Sequence, residues 1–324
     1  MTGGTDGPVF ICGAERSGTS LMYALLASHP RLSMMRRSNM WRWFYDKHGD
    51  LAVPENLDAA IDSLSRYKRL APLEPDWERV RRELSTGPPT YGRLFDLLHG
   101  HRAARIGRAR WGDKSLHTEY FADAIFREFP DARVVHMVRD PRDRYASIAN
   151  RYDEGSKGIP SATGRWLASV GAAQANVARY PGRYGLVRFE DLLTDPVAVT
   201  SRTCELIGEQ FDPTMMEMAG APEHSTGNSS FGDLAPQRIS TAPMGRYRTK
   251  LQSSDIAFIQ TVAGRSMRRL GYALDPVPLR GPARWRFWTV TFPRDASRVM
   301  AWSFNQRRVR AHERPPAARL VEVR

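Results

Sequence analysis

The segment Gly13-Ala14-Glu15-Arg16-Ser17-Gly18-Thr19-Ser20 is the first in the chain whose residue types and spacing suit chemistry. It fits the phosphate-loop template G-x-x-x-x-G-K-[ST] at every fixed position but one, because Thr19 stands where the lysine belongs. Backbone N–H groups of such a loop, and the N-terminus of the helix it opens, form an anion cradle. The missing lysine is the group that reaches the β and γ phosphates of a nucleoside triphosphate. A cation sits inside the loop instead, at Arg16, and the hydroxyls of Ser17, Thr19 and Ser20 add donors. That set suits a terminal anionic group other than a Mg²⁺-bound triphosphate.

A second basic constellation runs from Arg139 to Arg151. Arg139 follows an apolar run at the position where open α/β sheets bind ligands, beyond the C-terminal end of a strand. Asp140 offers an N-cap and Pro141 a first helical position, so a helix starts there. Within that helix Arg144, Ser147 and Arg151 are three and then four residues apart and share one face. Arg139, Ser147 and Arg151 can thus converge on one dianion, with charge-assisted hydrogen bonds of about 1.5–3 kcal/mol each. The plainer reading is a solvated basic helix start in which Asp140 and Asp143 pair locally. Two anion sites at the ends of two strands point to a nucleotide phosphorylated at both ends of its ribose.

The elements that must position these groups alternate. An apolar run at 9–13 reads as a strand buried on both faces and leads through the glycine loop into a helix over 21–27, stopped near His29-Pro30. Helices are expected over 56–68 and about 77–100, divided by the turn from Pro72 to Pro75. Strands are expected at 104–111, 133–138 and 184–189, and helices at about 119–129, 164–179 and 196–208. This order implies an α/β domain with a central parallel sheet flanked by helices. The aromatic stripe Trp41, Trp43, Phe44, Tyr45 is expected to fill core, and Glu190-Asp191 to serve in a turn.

Composition adds bounds. The 324 residues carry a formal charge of +13. Residues 280–324 contribute 11 Arg against 3 acids, so the surplus is concentrated in a basic, aromatic-containing tail. In that tail Asp295 could cap a basic amphipathic helix through about Arg310, suited to an anionic membrane surface. Two cysteines, Cys12 and Cys204, make neither a disulfide framework nor a zinc site. With no secretory leader visible and no run of 18 apolar residues, a reduced, cytoplasmic chain is expected, soluble or peripheral on the membrane.

With these residues in place, the sequence resembles the sulfotransferases that use 3′-phosphoadenosine 5′-phosphosulfate (PAPS). Phe10 to Leu21 followed by His29-Pro30 looks like their 5′-phosphosulfate loop, and Val134 to Ser147 like their 3′-phosphate motif. Val187 to Pro196, Met244 to Arg248 and Leu270-Gly271-Tyr272 resemble the later segments, in order. The resemblance implies a P-loop-like sulfotransferase domain over 1–275, followed by the extension 276–324. It implies that Arg16, Ser17, Gly18, Thr19 and Ser20 hold the 5′-phosphate and sulfonate, and that Arg139, Ser147 and Arg151, joined by Arg246 and Ser230, hold the 3′-phosphate. Asp113-Lys114-Ser115 looks like the Glu-Lys-Ser/Thr motif of some branches. There Lys114 would stabilise the bridging oxygen and Asp113 would be the general base, with His117 the alternative, near the position where other branches carry a histidine.

The implied reaction is in-line transfer of the sulfonate to an acceptor hydroxyl or amine, with no metal. A nucleotide or small-molecule kinase with a degenerate loop is the competing enzyme. A nonenzymatic basic adaptor for nucleic acid or membrane is the competing reading of another class, and no nucleic-acid partner is expected on the main reading.

Overall fold

A computed structural model of the chain describes residues 7–149, 158–222 and 239–312. Its sheet joins β1 (Val9–Cys12), β2 (Leu32–Arg36), β3 (Arg110–Lys114), β4 (Arg133–Val138) and β5 (Tyr184–Arg188), all parallel, in the order β2-β3-β1-β4-β5. The parallel, helix-flanked sheet expected from the alternation is present. β1 is the central strand and is wholly buried, which explains its unbroken apolar run. Its side chains alternate between two core layers: Phe10 and Cys12 enter one, Val9 and Ile11 the other.

From β1 the chain enters α1 (Thr19–Ala27), whose Leu21, Met22, Leu25 and Leu26 fill the Val9–Ile11 layer. Between β2 and β3 it builds a helical cap from α2 (Met40–Trp43), α3 (Pro54–Ser65), α4 (Trp77–Leu84) and α5 (Tyr91–Arg105). The Phe10 layer beneath this cap is aromatic, with Phe10 edge-on to Trp41 at 6.1 Å and to Trp111 at 5.7 Å. Trp41, Trp43 and Phe44 are buried in it and Tyr45 packs against it. α6 (Ala122–Glu128) leads to β4, α7 (Pro141–Ala149) follows β4, and α8 (Ile159–Arg179) returns to β5. α9 (Phe189–Thr194) and α10 (Pro196–Ile207) come next, and α11 (Tyr247–Lys250), α12 (Ser253–Arg269), α13 (Gly281–Arg286) and α14 (Phe292–His312) complete the described chain.

Three boundaries differ from expectation. The helix expected over 77–100 breaks into α4 and α5, because Gly87-Pro88-Pro89 cannot continue a helix and Thr90 caps the new one by accepting from Arg93 N at 3.1 Å. The strand expected at 104–111 lies at Arg110–Lys114, since α5 runs on to Arg105. β2 was not expected as a strand: Leu32–Arg36 is a short run with no alternation, and pairing with β3 is what extends it.

From residue 276 to His312 the chain packs on the domain. Phe287 is buried against Ala257 and Phe258 of α12, and α14 runs along α8. Helix α14 begins at Phe292, ahead of the expected cap, and Asp295 pairs with Arg294 at 2.9 Å and Arg298 at 3.5 Å. No helix among the described residues is long and apolar enough to cross a membrane.

One buried tie links α8 to the C-terminal end of β4. Trp166 of α8 is fully buried and its Nε1 donates to Arg139 O at 2.8 Å. Trp166→Ala removes both the packing and that tie, and is expected to cost about 3–5 kcal/mol in urea unfolding.

Candidate active site

The loop after β1 is shaped by close contacts. Gly13 has φ +131, and a Cβ there would lie 2.3 Å from Met137 O of β4. Gly18 has φ +90, and its Cβ would meet the Phe189 ring at 2.2 Å. Between them Ser17 N donates to Ala14 O at 3.1 Å, and Arg16 adopts φ +69. α1 then starts with no side-chain cap and no acid in its first turn, so its leading N–H groups face the loop. Ser17 is fully buried and its Oγ has no partner. An orphaned hydroxyl beside uncapped amides fits a phosphate or sulfonate oxygen, the ligand expected here.

β4 delivers the second basic group beside this loop, at the point where strand order reverses. Arg139 Nη1 donates to Arg16 O at 3.3 Å and Nη2 to Pro243 O at 2.9 Å, with the guanidinium 4.7 Å from the Phe189 ring centroid. Arg16 Nε donates to Ser147 Oγ at 3.0 Å, so the first loop meets helix α7 directly. Asp143 accepts from Gly245 N at 2.7 Å and Tyr247 N at 3.0 Å, which brings the turn carrying Arg246 against α7. Arg246 itself is exposed and donates to Ala242 O at 2.8 Å. Arg151 and Ser230 lie outside the described residues. Arg144, on the same helix face, is buried and spent on structure: it donates to Glu15 O at 2.7 Å and Ala162 O at 2.9 Å.

Asp113 and Lys114 are adjacent in β3 and therefore point to opposite faces of the sheet. Lys114 pairs with Ile11 and shares the α1 face, where its Nζ lies 3.4 Å from Ser20 Oγ. Burial, with Arg37 and Arg36 nearby, pushes its pKa down to about 8. Asp113 pairs with Phe10 and shares the Trp111 face. It accepts from Ser115 Oγ at 2.7 Å, and Ser115 in turn accepts from Asn39 N at 2.9 Å, so this carboxyl braces the turn before α2. Burial pushes its pKa up to about 6, against hydrogen bonds from Ser115 and Ser38 and the Lys114 charge.

His117 sits at φ +72 and lines a cavity of about 190 Å³ beside the loop, together with Gly13 to Glu15, Arg42, Arg165 and Trp302. Asp113 does not line it. Arg42, Arg165 and Trp302 were not singled out from the sequence as site residues; they come from three separate helices, and no spacing connects them. Glu190, expected in a turn, accepts from Asp140 N and from the Tyr272 hydroxyl, each at 2.9 Å, and so clamps the β4 and β5 exits together. Among the described residues no group of three or more His, Cys, Asp or Glu could hold a metal ion.

Fold and site together define a P-loop-like α/β protein in which the loop after β1 and helix α7 after β4 meet at the C-terminal ends of adjacent strands. The chain belongs to the sulfotransferase family, whose profile matches residues 8–213. It is 27% identical over 149 residues to protein-tyrosine sulfotransferase A of Caenorhabditis elegans, covering 44% of this chain and 33% of that protein. It is 31% identical over 91 residues to carbohydrate sulfotransferase 2 of Mus musculus, covering 28% of this chain and 17% of that one. The chain thus spans a third or less of the length of these curated relatives. Among solved structures, the sulfotransferase domain of the Synechococcus PCC 7002 olefin synthase superposes with a TM-score of 0.56 at 21% identity, over 83% of this chain and 95% of that domain.

The buried Asp113 has a measurable signature. Its folded-state pKa lies above its unfolded value, so it favours the fold fully below about pH 4 and progressively less up to about pH 6, a loss of about 3 kcal/mol. Asp113→Asn removes that slope. The difference in unfolding free energy between variant and wild type is expected to move in the variant's favour by about 2 kcal/mol between pH 4.5 and pH 7, measured by urea titration.

Proposed function

We propose that the protein is a sulfotransferase that moves the sulfonate of PAPS to a hydroxyl or amine of a small-molecule, carbohydrate or lipid acceptor. The observation that carries this reading is the 3.0 Å hydrogen bond between Arg16 of the first loop and Ser147 of helix α7, which joins the two candidate anion sites into one crevice. When bound, PAPS would supply a sulfonate for in-line transfer from its 5′-phosphate oxygen to an acceptor oxygen or nitrogen, with adenosine 3′,5′-bisphosphate as the leaving group. Arg16 to Ser20 hold the 5′ end through Ser17 Oγ, the loop amides and the Arg16 cation. Arg139, Ser147 and Arg246 hold the 3′-phosphate, and the family pattern adds Arg151 and Ser230. Lys114, on the same sheet face as Ser20, stabilises the charge that develops on the bridging oxygen. The chemistry needs no metal, because cationic side chains supply that stabilisation.

The base is assigned to His117, which lines the cavity beside the loop. Asp113 was the first choice on sequence grounds, but it faces the opposite side of the sheet from Lys114 and is committed to Ser115. Asp113 is therefore proposed as a positioning residue for the turn before α2. Thr19, at the lysine position of triphosphate loops, weighs against a kinase. Calorimetry with adenosine 3′,5′-bisphosphate and with Mg²⁺-ATP separates the two: the bisphosphate is expected to bind and to weaken at least tenfold in Arg139→Ala, whereas Mg²⁺-dependent ATP binding alone refutes the proposal. Lys114 loses its proton as pH rises through about 8, so affinity for the bisphosphate is expected to fall above that pH. Lys114→Arg, which stays charged, should flatten the profile.

We further propose a cytoplasmic enzyme that associates peripherally with anionic membrane through its C-terminal segment. Cys12 and Cys204 are both buried and free, in keeping with a reducing compartment. Trp285, Trp288 and Phe304 are 69%, 48% and 79% exposed in the Arg-rich stretch, a combination suited to a headgroup region. Flotation with phosphatidylserine-containing vesicles is expected to carry the wild-type chain and to lose it in a Trp285→Ala, Trp288→Ala, Phe304→Ala triple variant. Binding that survives the triple variant, or that occurs equally on neutral vesicles, rejects this role.

A further inference from the structure

The cavity beside the loop has one wall that no family pattern supplies. Trp302 of α14 lies beyond residues 8–213, the stretch matched by the family profile, yet it lines the cavity with Leu116, His117 and Tyr120. Its seat is specific: Gly164 of α8 is buried, and a Cβ built there would lie 2.8 Å from Trp302 Cε3. The indole Nε1 is shielded from solvent and has no hydrogen-bond partner, an arrangement that costs free energy unless a ligand accepts from it. Arg165, the residue after Gly164, is partly buried in the same wall, and no carboxylate among the described residues pairs with it. The charged lining comprises three guanidiniums and two carboxylates, a surplus of one cation.

We propose that α8 and α14 form the acceptor-recognition wall, and that the acceptor portion bound there is a compact hydroxylated ring carrying an anionic group. Leu116, Tyr120 and Trp302 offer flat apolar surface to the ring. Arg165 offers a planar fork of donors to a carboxylate, sulfate or phosphate, and Trp302 Nε1 donates to a ring oxygen. The size agrees, since about 190 Å³ admits a single substituted ring. His117 in the same lining then faces the hydroxyl that reacts. This inference rests on the sulfotransferase reading and adds to it the acceptor class and a specificity role for the C-terminal helix.

The test uses the full chain saturated with adenosine 3′,5′-bisphosphate, and 4-hydroxybenzoate, phenol and 4-hydroxybenzylamine as probes in ligand-observed NMR titrations. 4-Hydroxybenzoate is expected to bind at least tenfold more tightly than phenol or the amine. Arg165→Gln and Trp302→Ala are each expected to weaken it at least tenfold, while bisphosphate affinity stays within twofold of wild type. Gly164→Val, which displaces the indole, should reproduce the Trp302→Ala result. Equal binding of the three probes, no binding of 4-hydroxybenzoate, or unchanged binding in Arg165→Gln each overturns the inference. A readout on the wild-type chain guards against variants that fail to fold: phenylglyoxal modification of Arg165, followed by peptide mass, should be slowed by 4-hydroxybenzoate and not by phenol, and lack of protection counts against the proposal. If the wild-type chain does not bind the bisphosphate, it is the sulfotransferase reading that fails.

Discussion

The contact between Gly13 and the Met137 carbonyl is the constraint on which the site depends. A side chain at residue 13 would stand 2.3 Å from that oxygen, so only glycine lets the loop leave β1 while β4 lies alongside. Because the two strands are parallel neighbours, their C-terminal ends open on the same side, and the loops they feed share one crevice. Arg16 and Ser147, 131 positions apart in the chain, meet there at hydrogen-bond distance. Trp166, Glu190 and Asp143 brace this meeting from three directions, through Arg139 O, the Asp140 amide and the Gly245–Tyr247 turn.

Charge is the second consequence. Arg16, Arg139 and Lys114 gather around one crevice, with Arg36 and Arg37 close enough to Lys114 to depress its pKa. Burial also lowers Arg139 below the usual arginine range, the nearby carboxylates Asp143, Glu190 and Asp140 only partly offsetting it. Buried like charges oppose folding, and carbonyl acceptors such as Arg16 O and Pro243 O relieve only part of that cost. On the proposed reading a polyanionic ligand would offset the rest, and binding it would stabilise the fold by linkage. The rule separating Asp113 from Lys114 is simpler still. Strand alternation sends neighbours to opposite faces, which puts Lys114 on the α1 side and Asp113 on the Phe10 and Trp111 side.

The C-terminal segment changes character once its packing is known. Its arginine surplus reads in sequence as a basic, aromatic-containing tail; in the structure Phe287 is buried on α12 and Trp302 is seated over Gly164. Some of its aromatics therefore close the domain, while Trp285, Trp288 and Phe304 point outward. Composition cannot make that division, since the inward and outward residues are of the same kinds.

The sequence by itself determined the parallel α/β class, the loop from Gly13 to Ser20, the Arg139–Ser147 spacing and the helix start at Pro141, because each is written in contiguous residues governed by local geometry. It left β2 unrecognised and put β3 too early, because those short segments take their extended form and register from their neighbours rather than from their own pattern. It also paired Asp113 with Lys114 as one chemical unit, which held only until the β3 register set them on opposite faces. The cavity lining was invisible: Arg42, Arg165 and Trp302 come from helices separated by more than a hundred residues, and only the tertiary structure, by docking α2, α8 and α14 around the first loop, decides that they face the same space.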